Sequence, residues 1–252
     1  MELIEYVSGA RMHACLYMPL QSMVGLITTE FINKVYLFIK NTNKTISEIY
    51  INLYNNRVWR LRLTGVGVIT AQLASISGIS GVICRSCGIF YDIRCNNLYG
   101  YGIYNNLNFT TFLGILGDSY DRFIQRIREL FESARIILIT LTNLQINNGI
   151  YTTTLQKYNK GSKLESIILL FNRASGMYNI NVGCFYGTVE SGKGAFQVTL
   201  ITNNTNKPYR IYIRSPAYMH LQLLPLLCSG LQLADVSTLL GTLDIVFGEV
   251  DR

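Results

Sequence analysis

A chain of 252 residues, 49% hydrophobic and only 15% charged, is not a disordered protein, and six cysteines are too few for a small disulfide scaffold. No uninterrupted apolar stretch approaches the roughly 18 to 20 residues of a spanning helix, so an integral membrane protein is not expected either. The formal net charge of +7 permits an anionic partner, but Lys and Arg are scattered and gather only at Arg57, Arg60 and Arg62, which argues against nucleic acid.

The N-terminus, Met1 to Tyr6, is acidic and has neither a signal-peptide pattern nor the Arg-rich character of a transit peptide. Met23 to Lys40 has helical spacing, with Val24, Ile27, Phe31, Val35, Phe38 and Ile39 on one face. Asn41 to Lys44 is expected to break that helix, and Ile46 to Tyr54 reads as a second one, closed by Asn55 and Asn56. Thr70 is placed to cap a short helix reaching about Ser77, with Gly78 near its end. Gly81 to Tyr104 reads as irregular and carries Cys84-Arg85-Ser86-Cys87-Gly88.

Asp118 caps the clearest helix, Ser119 to about Asn143. Its apolar stripe is Phe123, Ile127, Leu130, Phe131, Ala134, Leu138 and Leu141, which leaves Arg122, Arg126 and Glu129 on other faces. Ser162-Lys163-Leu164-Glu165 is a capping-box pattern opening a helix to about Ala174. From Gly183 the period becomes two: Phe185 to Glu190, Ala195 to Thr202 and Tyr209 to Arg214 read as strands, with turns at Ser191-Gly192 and Asn203-Asn204. After Pro216 helical spacing returns, broken at Gly230 and Gly241. The class is α+β: a mainly helical core over about 1–180, then a small antiparallel sheet and terminal helices over about 181–252.

Isolated motifs give little chemistry. Cys84-x-x-Cys87 has Cys95 nearby but no His and no second pair, short of the four ligands of a structural zinc site; buried or incidental thiols are the expected reading. Gly65-Val66-Gly67 lacks the third glycine of a dinucleotide fingerprint, and the Gly187 to Gly194 stretch around Lys193 is no phosphate loop. The two histidines, His13 and His220, are structural by default. Composition and spacing reach no complete catalytic site.

Three segments carry a resemblance: Val7-Ser8-Gly9-Ala10-Arg11-Met12-His13-Ala14, Gly117-Asp118-Ser119-Tyr120-Asp121-Arg122-Phe123, and Leu233 to Val236 running through Gly241-Thr242-Leu243-Asp244-Ile245-Val246-Phe247-Gly248-Glu249-Val250-Asp251-Arg252. They resemble the quinone-module large subunit, or 49 kDa, family of respiratory complex I. Weaker matches at Asn55 to Arg60, Glu190 to Phe196 and Pro208 to Arg210 keep the family's order, so the resemblance covers essentially the whole chain. It implies a single domain over 1–252, the C-terminal part of a fold like the large subunit of nickel–iron hydrogenases. The family's N-terminal part, whose histidine-bearing loop and tyrosine hold the quinone headgroup, has no counterpart here. A split gene is expected, with that part on a second polypeptide. Nickel chemistry is not expected, because the terminal Gly248 to Arg252 lacks the cysteine pair of the hydrogenases.

The resemblance also assigns roles. The histidine matching His13 lies near the terminal 4Fe-4S cluster of a neighbouring subunit and takes up a proton when that cluster is reduced. One negative charge added about 8 Å away contributes roughly 2 kcal/mol at an effective dielectric of about 20, enough to carry an ordinary imidazole across neutral pH. Asp244, Val246 and Arg252 match residues near the same cluster and the quinone cavity: Asp244 to orient a polar network, Val246 to wall the headgroup slot, Arg252 to pair with a neighbour's carboxylates. Arg85 and Gly88 match an arginine–glycine loop of that environment, in which Cys84 and Cys87 are departures from the family. Asp118, Tyr120, Asp121 and Arg122 match a helix start with a structural role, an N-cap with pairing on the helix surface.

The implied function is a core peripheral-arm subunit of the proton-pumping NADH:ubiquinone oxidoreductase, inactive alone and binding no cofactor itself, with ubiquinone at its interface. The expected partners are the iron–sulfur subunit of the quinone module, a 30 kDa-type subunit and membrane-arm subunits. The expected place is the matrix side of the mitochondrial inner membrane, as a peripheral protein. The alternatives are an accessory structural subunit of the same complex and a basic organellar ribosomal protein.

Overall fold

The computed structural model describes residues 2–8, 11, 29–95, 102–146, 164, 168, 171 and 180–251. The helices are α1 Glu2–Ser8, α2 Thr29–Tyr54, α3 Arg57–Leu63, α4 Ala71–Ile76, α5 Gly81–Ser86, α6 Ser119–Ile146, α7 Pro216–Gln222, α8 Leu224–Cys228, α9 Leu233–Leu243 and α10 Phe247–Val250. The strands are β1 Gly183–Ser191, β2 Gly194–Thr202 and β3 Arg210–Arg214. The chain divides into two compact units, Met1–Thr45 with Ala134–Asn179, and Ile46–Ser133 with Ile180–Arg252. The class is α+β, as the periodicity predicts. No helix of the described residues is long and apolar enough to cross a membrane.

In the first unit Ile39, Ala134 and Leu141 are buried, and Ile32, Val35 and Leu138 pack against them at helical spacing. Tyr6 stacks on Phe31 with ring centroids 5.3 Å apart. The break expected at Asn41 to Lys44 does not occur: α2 runs unbroken through it. Those residues are mediocre helix formers but include no Gly or Pro. Thr42 and Thr45 satisfy their hydroxyls by donating to the carbonyls of Phe38 and Asn41 one turn back. Of the helix expected from the Ser162 capping box, only Leu164, Ile168 and Phe171 are described, and all three are helical.

The second unit has one core, in which Ile69, Ala74, Ile79, Ile83, Cys84, Cys87, Leu223, Leu227, Leu239 and Leu243 are buried together. Asn56 caps α3 by accepting from the Val58 and Trp59 amides, and Thr70 caps α4 through Leu73. The segment expected to be irregular from Gly81 instead forms α5, so Cys84 and Arg85 ride on a buried helix. Gly241 does not end the last long helix; α9 passes through it and stops at Asp244, which is left-handed with φ 54°.

The sheet is antiparallel in the order β1-β2-β3, with Val189 opposite Phe196 and Val198 opposite Ile213. Its hairpin end docks on α5 where the Ala195 amide donates to the Ser80 hydroxyl at 2.9 Å. That approach needs bare backbone: a Cβ on Gly81 would lie 2.5 Å from Gly194 Cα.

Candidate functional site

Arg85 is 2% exposed, held inside by the apolar neighbours of α5. A buried guanidinium must spend its donors. Arg85 Nε meets Glu129 at 2.8 Å, and its Nη1 reaches Glu190 at 3.0 Å, Asp92 at 3.4 Å and the Tyr91 carbonyl at 3.3 Å. Asp92 is shared: it also accepts from Arg94 Nε at 3.0 Å and Nη2 at 2.6 Å. Arg94 is fixed there because its backbone amide donates to the same carboxylate, closing the turn Ile93–Cys95.

This network holds two guanidinium groups against three carboxylates, Asp92, Glu129 and Glu190. Burial works against the Arg85 charge, but Glu129, Glu190 and Asp92 outweigh it and its pKa is raised; Arg94 is raised by Asp92 in the same way. Glu190 bears the surplus. Burial lifts its pKa above the ordinary value against the pull of Arg85.

Helix α6 carries the network onward. Arg122, Arg126 and Glu129 stand at i, i+4 and i+7, one face of the helix. Arg122 is fully buried and meets only neutral acceptors: the Gly67 carbonyl at 3.0 Å, the Gly117 carbonyl at 2.9 Å and the Ser119 hydroxyl at 2.8 Å. Burial pulls its pKa down to about 10, which still leaves it charged at neutral pH. The surface pairing expected of Arg122 is therefore corrected: the residue is structural, but internal. Leu130 and Phe131, expected in the apolar stripe, are exposed instead. Arg126 Nη2 donates to the Thr242 carbonyl at 2.6 Å, and Lys193, in the β1–β2 hairpin turn, lies 3.8 Å from Asp244.

Beside them His220 is 0% exposed, and neither ring nitrogen has a hydrogen-bond partner among the described residues. Burial drives its pKa down to about 4. The nearby Ser80 backbone and Asp244 favour the proton, while Arg126 and Lys193 oppose it.

Arg85 and Asp244 thus lie in one unit, at two ends of a charged path through Glu129 and Arg126. Val246 is half-exposed in an extended stretch before α10. His13 and Arg252 lie outside the described residues. Glu129, Glu190, Asp92, Arg94, Arg126 and Lys193 were not singled out as site residues. The polar stripe 122-126-129 on α6 was the available signal, and it reads as a solvated face until the partners of Arg85 are known. Cys84 and Cys87 belong to the core: burial pushes the Cys84 thiol up to about 11 and raises Cys87, which donates to the Ile83 carbonyl. A reactive or cluster-holding cysteine needs the opposite shift.

The family model described as respiratory-chain NADH dehydrogenase, 49 Kd subunit, matches residues 1–252. The NADH-ubiquinone oxidoreductase 49 kDa subunit of Nyctotherus ovalis is 53% identical over 254 residues, taking in 100% of this chain and 62% of its own length. The subunits of the same name from Paramecium tetraurelia and Acanthamoeba castellanii are each 38% identical, with 66% and 63% of their lengths covered. The chain spans a little under two thirds of the length of these relatives.

Proposed function

The chain belongs to the 49 kDa subunit family of the respiratory-chain NADH dehydrogenase, and from that membership we propose that it helps form the quinone-reduction site of the proton-pumping NADH:ubiquinone oxidoreductase. The family match over the whole chain carries the reading. The iron–sulfur subunit of the quinone module, a 30 kDa-type subunit and membrane-arm subunits are its neighbours, at the matrix face of the mitochondrial inner membrane. A 4Fe-4S cluster held by the neighbour would supply the electrons for quinone reduction at this interface. This chain borders that cluster without ligating it, in keeping with the raised, core-facing thiols of Cys84 and Cys87.

The chain's own residues supply position and charge. The Thr242 to Val246 turn presents Val246 as an apolar wall, and Asp244 orients polar groups beside it. The buried Arg85 network holds fixed charges where low dielectric makes them effective, as preorganised electrostatics requires. His13 takes a proton on its imidazole when negative charge arrives at the neighbouring cluster. With His13→Met the cluster's midpoint potential should lose its pH dependence; a redox titration showing the same slope removes His13 from the role.

The test of the whole reading is a native gel of solubilised organelle membranes, stained for NADH dehydrogenase activity, with peptide mass spectrometry of the active band. The chain should be in that band, together with peptides from the part of the family it does not span, on this polypeptide or another. The chain without those peptides supports an accessory role. Migration with ribosomes or elsewhere overturns the assignment.

A further inference from the structure

The C-terminal turn needs an anchor. Asp244 ends α9 in the left-handed conformation, unusual for a residue with a side chain, and the last carbonyls of a helix have no intrahelical donors. Three cations converge on these residues. Arg126 Nη2 donates to the Thr242 carbonyl at 2.6 Å, Arg122 Nη2 lies 3.5 Å from the Thr242 hydroxyl, and Lys193 Nζ is 3.8 Å from Asp244. They come from two elements distant in sequence, α6 and the β1–β2 hairpin. The carbonyl at a helix C-terminus is where a guanidinium is favoured.

The turn decides which way the next side chains point. Leu243 is fully buried, and Ile245 packs on the same core. Val246 is extended, so it faces the opposite way from Ile245 and is half-exposed. Without its left-handed residue or its anchor, the turn would no longer fix which of Ile245 and Val246 faces the core. Arg126 is also tied to the Arg85 network: Glu129, one turn further along α6, accepts from Arg85 and supports the Arg126 charge against burial.

We propose that Arg126, assisted by Lys193, is the positioning residue that fixes the Thr242–Asp244 turn and so sets where Val246 meets the quinone. The assignment rests on the quinone-site reading of this segment. Arg126 touches neither quinone nor cluster in this role; it acts through the Thr242 carbonyl. The separate Lys193 contact gives the anchor a second point, on Asp244.

The experiment uses the intact complex in membranes carrying Arg126→Met, Arg126→Lys, Lys193→Met or Val246→Trp. Steady-state kinetics with a short-chain ubiquinone give KM and kcat, and NADH:ferricyanide turnover counts assembled enzyme. Arg126→Met should raise the quinone KM about tenfold, one charge-assisted hydrogen bond's worth, with ferricyanide turnover unchanged. Arg126→Lys should restore most of it, because an ammonium can still donate to the Thr242 carbonyl. Lys193→Met should raise KM several-fold. If Arg126→Met fails to assemble, Lys193→Met decides. An unchanged KM in the assembled Met variants overturns the anchor while Val246→Trp still raises KM. An unchanged KM in Val246→Trp overturns the quinone-site reading of the segment itself.

Discussion

His220 is a buried base kept neutral, and the consequence is an acid-sensitive fold. Its pKa is about 4 in the folded chain against the ordinary 6.5. Between those values the unfolded chain binds a proton that the folded chain refuses. Stability is therefore complete above about pH 6.5, falls as pH drops, and levels off below about pH 4, with a total loss of about 3 kcal/mol. Urea titrations at steps across that window, compared between the wild type and His220→Phe, isolate the effect; equal slopes for the two would remove His220 as the cause. Arg85 makes a second residue-scale case. Arg85→Met takes the ion-pair partner from Glu129 and from the largely buried Glu190 side chain, while Asp92 keeps Arg94, and should destabilise by about 3–5 kcal/mol. Glu190→Gln removes the surplus negative charge and keeps a hydrogen-bonding oxygen, so its cost should stay within about 1 kcal/mol. A Glu190→Gln cost as large as that of Arg85→Met would contradict the charge balance described for this network.

At the scale of elements, the loop before α4 shows how a weak motif acquires a meaning. Gly65 and Gly67 resemble a fragment of a nucleotide loop, but both are left-handed joints that seat the loop on the start of α6. The Gly65 amide donates to Asp118, and the Gly67 carbonyl receives both terminal nitrogens of Arg122. A Cβ on Gly67 would lie 2.1 Å from Leu239 Cδ2 and 3.2 Å from Arg122, whereas one on Gly65 meets nothing within 4 Å. Gly67→Ala should therefore cost about 3 kcal/mol, strain plus overpacking, and Gly65→Ala about 1 kcal/mol from backbone strain alone. Thermal unfolding of the two variants checks the difference, and equal losses would mean that Leu239 yields freely. The elements legible in the sequence were those with a local signature: the Asp118 cap, the Thr70 cap and the period-two strands. The continuity of α2 was not legible, because Asn41 to Lys44 lacks helix-forming strength, although the neighbouring threonine hydroxyls are satisfied within the helix. The polar face of α6 was not legible as internal, because its partners Gly67, Arg85 and Thr242 are distant in sequence.

At the scale of the whole molecule, the low charge fraction finds its place on the sheet. One face carries Phe185 and Val189 from β1, Phe196, Val198 and Leu200 from β2, and Ile211 and Ile213 from β3, with no charge among them. The edge-strand members Phe185, Val189, Ile211 and Ile213 are 40–54% exposed. The opposite face is ordinary, with Thr188 and Ala195 buried and Glu190 bound to Arg85. A contiguous exposed apolar face on a soluble chain marks a surface meant to be covered or one that self-associates. Purified by itself, the chain should self-associate in a concentration-dependent way and bind a hydrophobic dye. Val189→Lys with Ile211→Lys puts two like charges on the face at exposed positions, so it should suppress self-association by about tenfold while changing stability by less than about 1 kcal/mol. If a neighbouring subunit covers this face, the same double variant should also lower the amount of assembled complex in membranes. Sedimentation velocity and the native-gel band read the two effects separately. Suppressed association with full assembly would mean that the face stays open in the complex and that the low charge fraction has another origin.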